Sequence, residues 1–185
     1  MGRIGRLRPA GALQTQTMSI AMLQQAYARF KAGDVAGAEG LCNELLSTDS
    51  KNAGALDLLG VMNLMSGRPE AAEWSDEFPR AEAAVAAAAP DLEAALACLS
   101  RAVAISPADG AILEHLGLAN LAAGRFVEAE SALRRAIAAG ARGAMVYMRM
   151  GMAISAQGRL DEAIALMREA ARLSPDDPNV QINLG

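Results

Sequence analysis

From Gly110 to Asp177 the chain is one 34-residue pattern written twice, and a repeat at that period restricts the fold more than any other feature. Leu116-Gly117 lies over Met150-Gly151, Gly124-Arg125 over Gly158-Arg159, Glu128-Ala129 over Glu162-Ala163, Leu133 over Met167, and Ala136 over Ala170. Within one unit Leu113, Leu116, Gly117 and Leu121 recur at helical spacing, and after Gly124 so do Phe126, Ala129, Leu133, Ala136 and Ile137. Each unit therefore predicts two amphipathic helices joined at a glycine, the residue that most readily takes the left-handed conformation ending a helix. Gly117, Ala129 and Ala136 are expected where helices cross closely, with Leu116, Phe126 and Leu133 filling the space between them. Glu128, Asp161 and Glu162 fall in the first turn of a second helix, where the dipole favours carboxylates. Pro175 ends the last helix, because it has no amide to continue the ladder.

These recurring positions resemble the tetratricopeptide repeat family, whose 34-residue unit has a Leu-Gly pair, a glycine between helices and a proline near its end. The resemblance implies an all-α, right-handed superhelical solenoid of antiparallel helix pairs. In that register the array runs over 19–185, with units at 19–52, 53–109, 110–143 and 144–177 and the start of a fifth at 178–185. The first unit matches through Ala26, Gly33, Ala38 and Cys42. From Gly60 to Gly117 the spacing is 57 residues, 23 more than one period, and the excess falls at Arg68 to Pro90, in the turn of the second unit. This insertion contains the sole tryptophan, Trp74, together with Phe78, and Arg80 to Ala89 predicts a short helix ended by Pro90. It reads either as a surface excursion or as a docking element built on Trp74 and Phe78. Residues 1–18 fit no repeat and are expected to be a disordered lead, with Met18 a second candidate start; Arg3, Arg6 and Arg8 give the alternative of a targeting segment. The pattern stops at Gly185 in mid-helix, so either the chain is a piece of a longer repeat protein or its uncapped C-terminal end serves self-association.

Composition narrows the function. Hydrophobic residues make up 52% of the chain but aromatic ones only 3%, which predicts a closely packed core of Ala, Leu and Met. A net charge of -4 gives no basic footprint for nucleic acid. No apolar run is long enough to span a bilayer. Cys42 and Cys98, both at interior positions of second helices, are expected to be buried free thiols, which suits a reducing compartment such as the cytoplasm. Arginine outnumbers lysine, present only as Lys31 and Lys51, and alanine is abundant; this points to a GC-rich bacterial genome.

No catalytic constellation is legible. The one histidine, His115, offers no second imidazole for a metal site, and it is read as exposed or groove-lining. Neither cysteine has a local histidine partner. The recurring glycines lack the lysine of a phosphate loop. Neither a cofactor nor a metal is expected.

The family resemblance places a peptide-binding groove on the first helices. Carried over, its lining includes Tyr27, Asp57, Val61, Glu114, Leu118, Met148, Met152 and Ile182. The resemblance thus implies a non-catalytic scaffold that binds a peptide or helical segment of a protein partner. The alternative is the N-terminal repeat portion of a larger bacterial enzyme, such as a protein glycosyltransferase or sulfotransferase. A carboxylate clamp is disfavoured, because acidic and apolar side chains stand where its cationic donors would be. Of an asparagine ladder before the Leu-Gly pair, only Asn183 is present. Glutamates at both Met148 and Met152 are expected to abolish capture and leave the helices intact.

Overall fold

Apolar positions that recur every three or four residues and then stop at a glycine fold locally into an antiparallel helix hairpin. The computed structural model describes residues 10–65 and 91–175, and among them are eight helices and no strand. They are α1 (Ala10–Lys31), α2 (Val35–Thr48), α3 (Ala53–Met65), α4 (Leu92–Ile105), α5 (Gly110–Ala122), α6 (Phe126–Ala138), α7 (Ala144–Ser155) and α8 (Leu160–Leu173). The insertion with Trp74 and Phe78, and the restart with Ile182, lie outside the described residues.

The helices pair as α1–α2, α3–α4, α5–α6 and α7–α8, and each second helix rests on the first helix of the next pair. First helices also touch one another from pair to pair, whereas second helices make no comparable contact among themselves. The first helices therefore form the inner layer of an all-α solenoid, and the exposed face of that layer is the candidate groove. One core cluster runs from Leu56 of α3 through Leu113 and Leu133 to Ile154 of α7 and Ala163 of α8. Packing thus passes from neighbour to neighbour along the stack.

The expectation of an unstructured lead through Met18 is corrected in its second half. Helix α1 begins at Ala10, ahead of Ser19, where the apolar period starts. Ala10 to Met18 is rich in Ala, Leu, Gln and Met, residues of high helix propensity.

Turn chemistry follows the repeat. Gly33, Gly124 and Gly158 have φ values of +83°, +70° and +81°, so each hairpin with a described turn closes through a left-handed glycine. The arginines that follow two of these glycines link repeats. Arg125 reaches back 2.8 Å to Glu93 of α4, and Arg159 reaches 2.8 Å to Glu130 of α6. Both bridges tie a turn to the second helix of the preceding repeat, and Arg134 of α6 lies 3.7 Å from Glu162 of α8 on the same outer side. Glu130 also accepts from Gln157 at 2.9 Å and pairs with Arg134 at 2.8 Å. Burial pushes its carboxyl up, but these donors outweigh burial and hold it below the ordinary carboxylate value. Helices α2, α4 and α5 are capped by Asp34, Asp91 and Asp109. Helices α6 and α8 lack a side-chain cap and instead place Glu128, Asp161 and Glu162 in the first turn.

Where the two helices of a hairpin cross, volumes are matched in pairs. A Cβ on Gly117 would stand 2.5 Å from Cγ of Leu133, and one on Gly60 would stand 2.5 Å from Cγ of Leu99. At Gly151 the neighbour is Cγ of Met167 at 3.1 Å, a more adaptable side chain. In the first repeat the fully buried Ala26 shares a cluster with the smaller Cys42. Gly117→Ala is accordingly expected to destabilise by roughly 1–3 kcal/mol through overpacking. Gly151→Ala should lose less than that, because Met167 can shift and helix propensity offsets part of the contact, although the Ala163 carbonyl at 3.3 Å cannot move aside. Chemical denaturation of the two variants side by side checks the order; equal losses would contradict this crossing geometry.

Candidate protein-binding groove

Helix α3 occupies the middle of the inner layer, and its sequence is apolar on nearly every side except at Asp57 and Asn63. Burial follows: Asp57 is only 4% exposed. A carboxylate in that position is costly unless its oxygens are satisfied. Two neighbouring first helices supply the donors. The Tyr27 hydroxyl of α1 donates to Oδ2 at 3.3 Å, and Nδ1 of His115 on α5 lies 2.8 Å from Oδ1. Because a carboxylate only accepts, Nδ1 carries the hydrogen in this contact. Burial, then the charge of Asp57, raises the Tyr27 phenol well above its ordinary value, so it stays a donor.

A second contact of the same kind joins the next pair of first helices. Arg149 of α7, itself buried, pairs with Glu114 of α5. Burial pulls the Arg149 guanidinium down and Glu114 opposes that shift. In both contacts an acid at the fifth position of one repeat meets a base at the sixth position of the next. At the first such step both positions are apolar: Leu23 and Leu58 belong to one cluster with Leu45 and Leu59.

Around these polar rungs the lining is apolar and partly open. Tyr27, Leu118 and Met152 are half-buried, and so is Glu114. Tyr27 and Asp57 are in direct contact. Val61 is 8% exposed and Met148 only 3%, so these two form floor and packing rather than an accessible surface. Met148 clusters with Ala144 and with Ala170 of α8, which takes up its side chain. The expectation that it lines an open groove is corrected accordingly. Leu23 also borders an open cleft of about 880 Å³ between α1, the α2–α3 turn and the end of α4.

His115 and Arg149 are the residues whose roles sequence reasoning missed. Read singly, His115 is a solvent-facing or groove histidine and Arg149 a missing asparagine. The signal that could have paired them is an acid followed one period plus one residue later by a base, met by Glu114 and Arg149 and, once the insertion is removed, by Asp57 and His115.

The chemistry available is that of contact. An Asp–His pair can orient a general base, yet among the described residues no serine or cysteine hydrogen-bonds the imidazole. Burial pushes the Cys42 thiol up to about 11, with Glu39 adding to the shift, and it raises that of the half-buried Cys98. Both are free cysteines. Among the described residues no group of three or more His, Cys, Asp or Glu side chains could hold a metal ion, and no helix is long and apolar enough to cross a membrane.

The sequence profile of the tetratricopeptide repeat matches residues 80–144 and 117–178, together more than half of the chain. The chain belongs to the tetratricopeptide repeat family. Solved structures of other repeat proteins share the fold. MamA, at 20% identity, superposes with a TM-score of 0.65 over 86% of this chain and 80% of its own. Thermobaculum terrenum O-GlcNAc transferase, in its K341M form, is 21% identical with a TM-score of 0.67, over 85% of this chain but 26% of the enzyme. Cut9, in its APC/C complex with Hcn1, is 15% identical with a TM-score of 0.70, over 90% of this chain and 29% of that one. At these identities the likeness is one of fold. No curated protein sequence matches the chain.

Proposed function

We propose that the array is a non-catalytic protein-interaction scaffold that holds an extended or helical segment of a partner along the groove of its first helices. The observation that carries this reading is the inner layer itself. Tyr27, Leu118 and Met152 are part-open there, and the charged groups beneath them are engaged in contacts between repeats. Methionine and leucine on such a surface can repack around apolar side chains of different shape. The free thiols support a reducing compartment, such as the cytoplasm, as the site of action.

A second reading is favoured by one comparison. The O-GlcNAc transferase is matched over only 26% of its length, so the array can equally stand as the repeat portion of a larger enzyme. In that case the groove would present substrates to a catalytic domain encoded further along the gene.

Capture of partners from the source cell tests the scaffold reading. Met152→Glu, in the groove, is expected to lose the partners bound by the unaltered chain, and Val127→Glu, at a 65% exposed position outside it, should retain them. Loss with Val127→Glu and retention with Met152→Glu would remove the groove from the account.

A further inference from the structure

Helix α8 packs on α7 and carries an apolar stripe that stays partly open among the described residues. Leu160, Ile164, Met167 and Ala171 follow one another at intervals of four, three and four residues, which keeps them within about 60° of arc on one face. Leu160 is 59% and Ile164 43% exposed, and Met167 and Ala171 are half-buried. One repeat earlier the same places hold Phe126, Glu130, Leu133 and Ile137, and there α7 supplies the cover: Leu133 is fully buried in a cluster with Val146, Met150 and Ile154. Glu162, on another side of α8, reaches back toward Arg134 of α6, so the stripe faces away from the array. The opposite end of the array is closed differently. In α1 the places of Val146, Met150 and Ile154 hold Ala21, Gln25 and Arg29, all exposed, and Arg29 pairs with Asp34. An apolar stripe set on that end would cover Gln25 and Arg29 without satisfying them, which disfavours head-to-tail stacking of copies.

The stripe is complementary to itself. When two α8 helices lie antiparallel about a two-fold axis between Ile164 and Met167, Ile164 of one copy meets Met167 of the other, and Leu160 meets the small Ala171. Asp161 and Arg168 flank the stripe on one side, both exposed, and the antiparallel arrangement brings Asp161 of each copy within a turn of Arg168 of the other. Arg172 is held by Glu169 within the helix and takes no part. On these grounds we propose that a second copy of this chain covers α8, giving a two-fold dimer through antiparallel α8 helices. One helix face per copy lies at the small end of specific interfaces, below about 1,200 Å², so the dimer is expected to be reversible and concentration-dependent. This goes beyond the groove reading and stands without it. Because α8 is a second helix, pairing there leaves the inner layer of both copies open, and a partner with two binding segments would be held by both.

Sedimentation equilibrium of the purified chain tests the proposal. The mass should rise from the 19.2 kDa of one chain toward twice that value as the concentration goes from about 5 to about 500 μM. Ile164→Glu sets a carboxylate on the stripe of each copy and should weaken association by about tenfold or more, with helicity by circular dichroism unchanged because the position is open. Arg168→Asp should weaken it by roughly fivefold, and adding Asp161→Arg should restore it, a rescue that damage to the fold would not give. If Ile164→Glu does not fold, this charge swap decides, and a swapped chain that associates no better than Arg168→Asp alone overturns the proposal. A chain that stays monomeric over the whole range, as it would if its own residues 178–185 took the stripe, also overturns it. So does a dimer unaffected by Ile164→Glu, or one lost with Met152→Glu and kept with Ile164→Glu, which would move self-association to the groove.

Discussion

Leu133→Ala is expected to destabilise the array by roughly 2–5 kcal/mol, the range for deleting a fully buried leucine side chain. Leu133 is 0% exposed. It fills the space left by Gly117, and in the core cluster it packs among Leu113 and Ile112 of α5 and Val146 and Met150 of α7. A glycine opposite cannot move in to close the gap, so most of the cavity should persist. The position also matters for cooperativity. In a stack held by nearest-neighbour contacts, weakening the third repeat uncouples the helices before it from those after it. Urea denaturation followed by circular dichroism should therefore show a lower midpoint and a broader transition than the unaltered chain. A loss under about 1 kcal/mol would mean that this helix face does not lie against α5.

Met148→Glu is the second large effect, expected at roughly 2–4 kcal/mol through lost packing and an unpaired carboxylate among apolar groups. Met152→Glu, at a half-buried position one helical turn further on, should cost under about 1 kcal/mol. The contrast separates packing from lining on a single helix, and thermal melts of the two variants measure it. It also changes how binding is tested. The pair of glutamates that sequence reasoning offered as leaving the helices intact would unfold α7 from α8, so Met152→Glu alone is the informative variant.

The positions that build the stack were legible because each is fixed by a steric demand that recurs every period. Gly60, Gly117 and Gly151 face Leu99, Leu133 and Met167 across a crossing, and Gly33, Gly124 and Gly158 need a positive φ. The groove was legible in outline only. Position within the repeat placed Tyr27, Asp57 and Glu114 on the inner layer, but it could not tell which of those side chains would be covered. Met148 and Val61 are covered because of local packing that the repeat pattern does not encode. The partners of Asp57 and Glu114 were hidden for a different reason. His115 and Arg149 lie one residue off the period, and an insertion lengthens one of the two spacings, so a search for identical residues at a fixed interval passes over them. Helix α1 starts ahead of the apolar period because Ala10 to Met18 has helix propensity without apolar periodicity.

The most direct test of the groove is site-specific photo-cross-linking in the source cell. A benzophenone side chain placed at Leu118 or at Met152 is expected to yield covalent adducts with a partner protein, and one placed at Val127 should yield none. Adducts from Val127 alone, with Leu118 and Met152 silent, would contradict the claim that the first helices hold the partner.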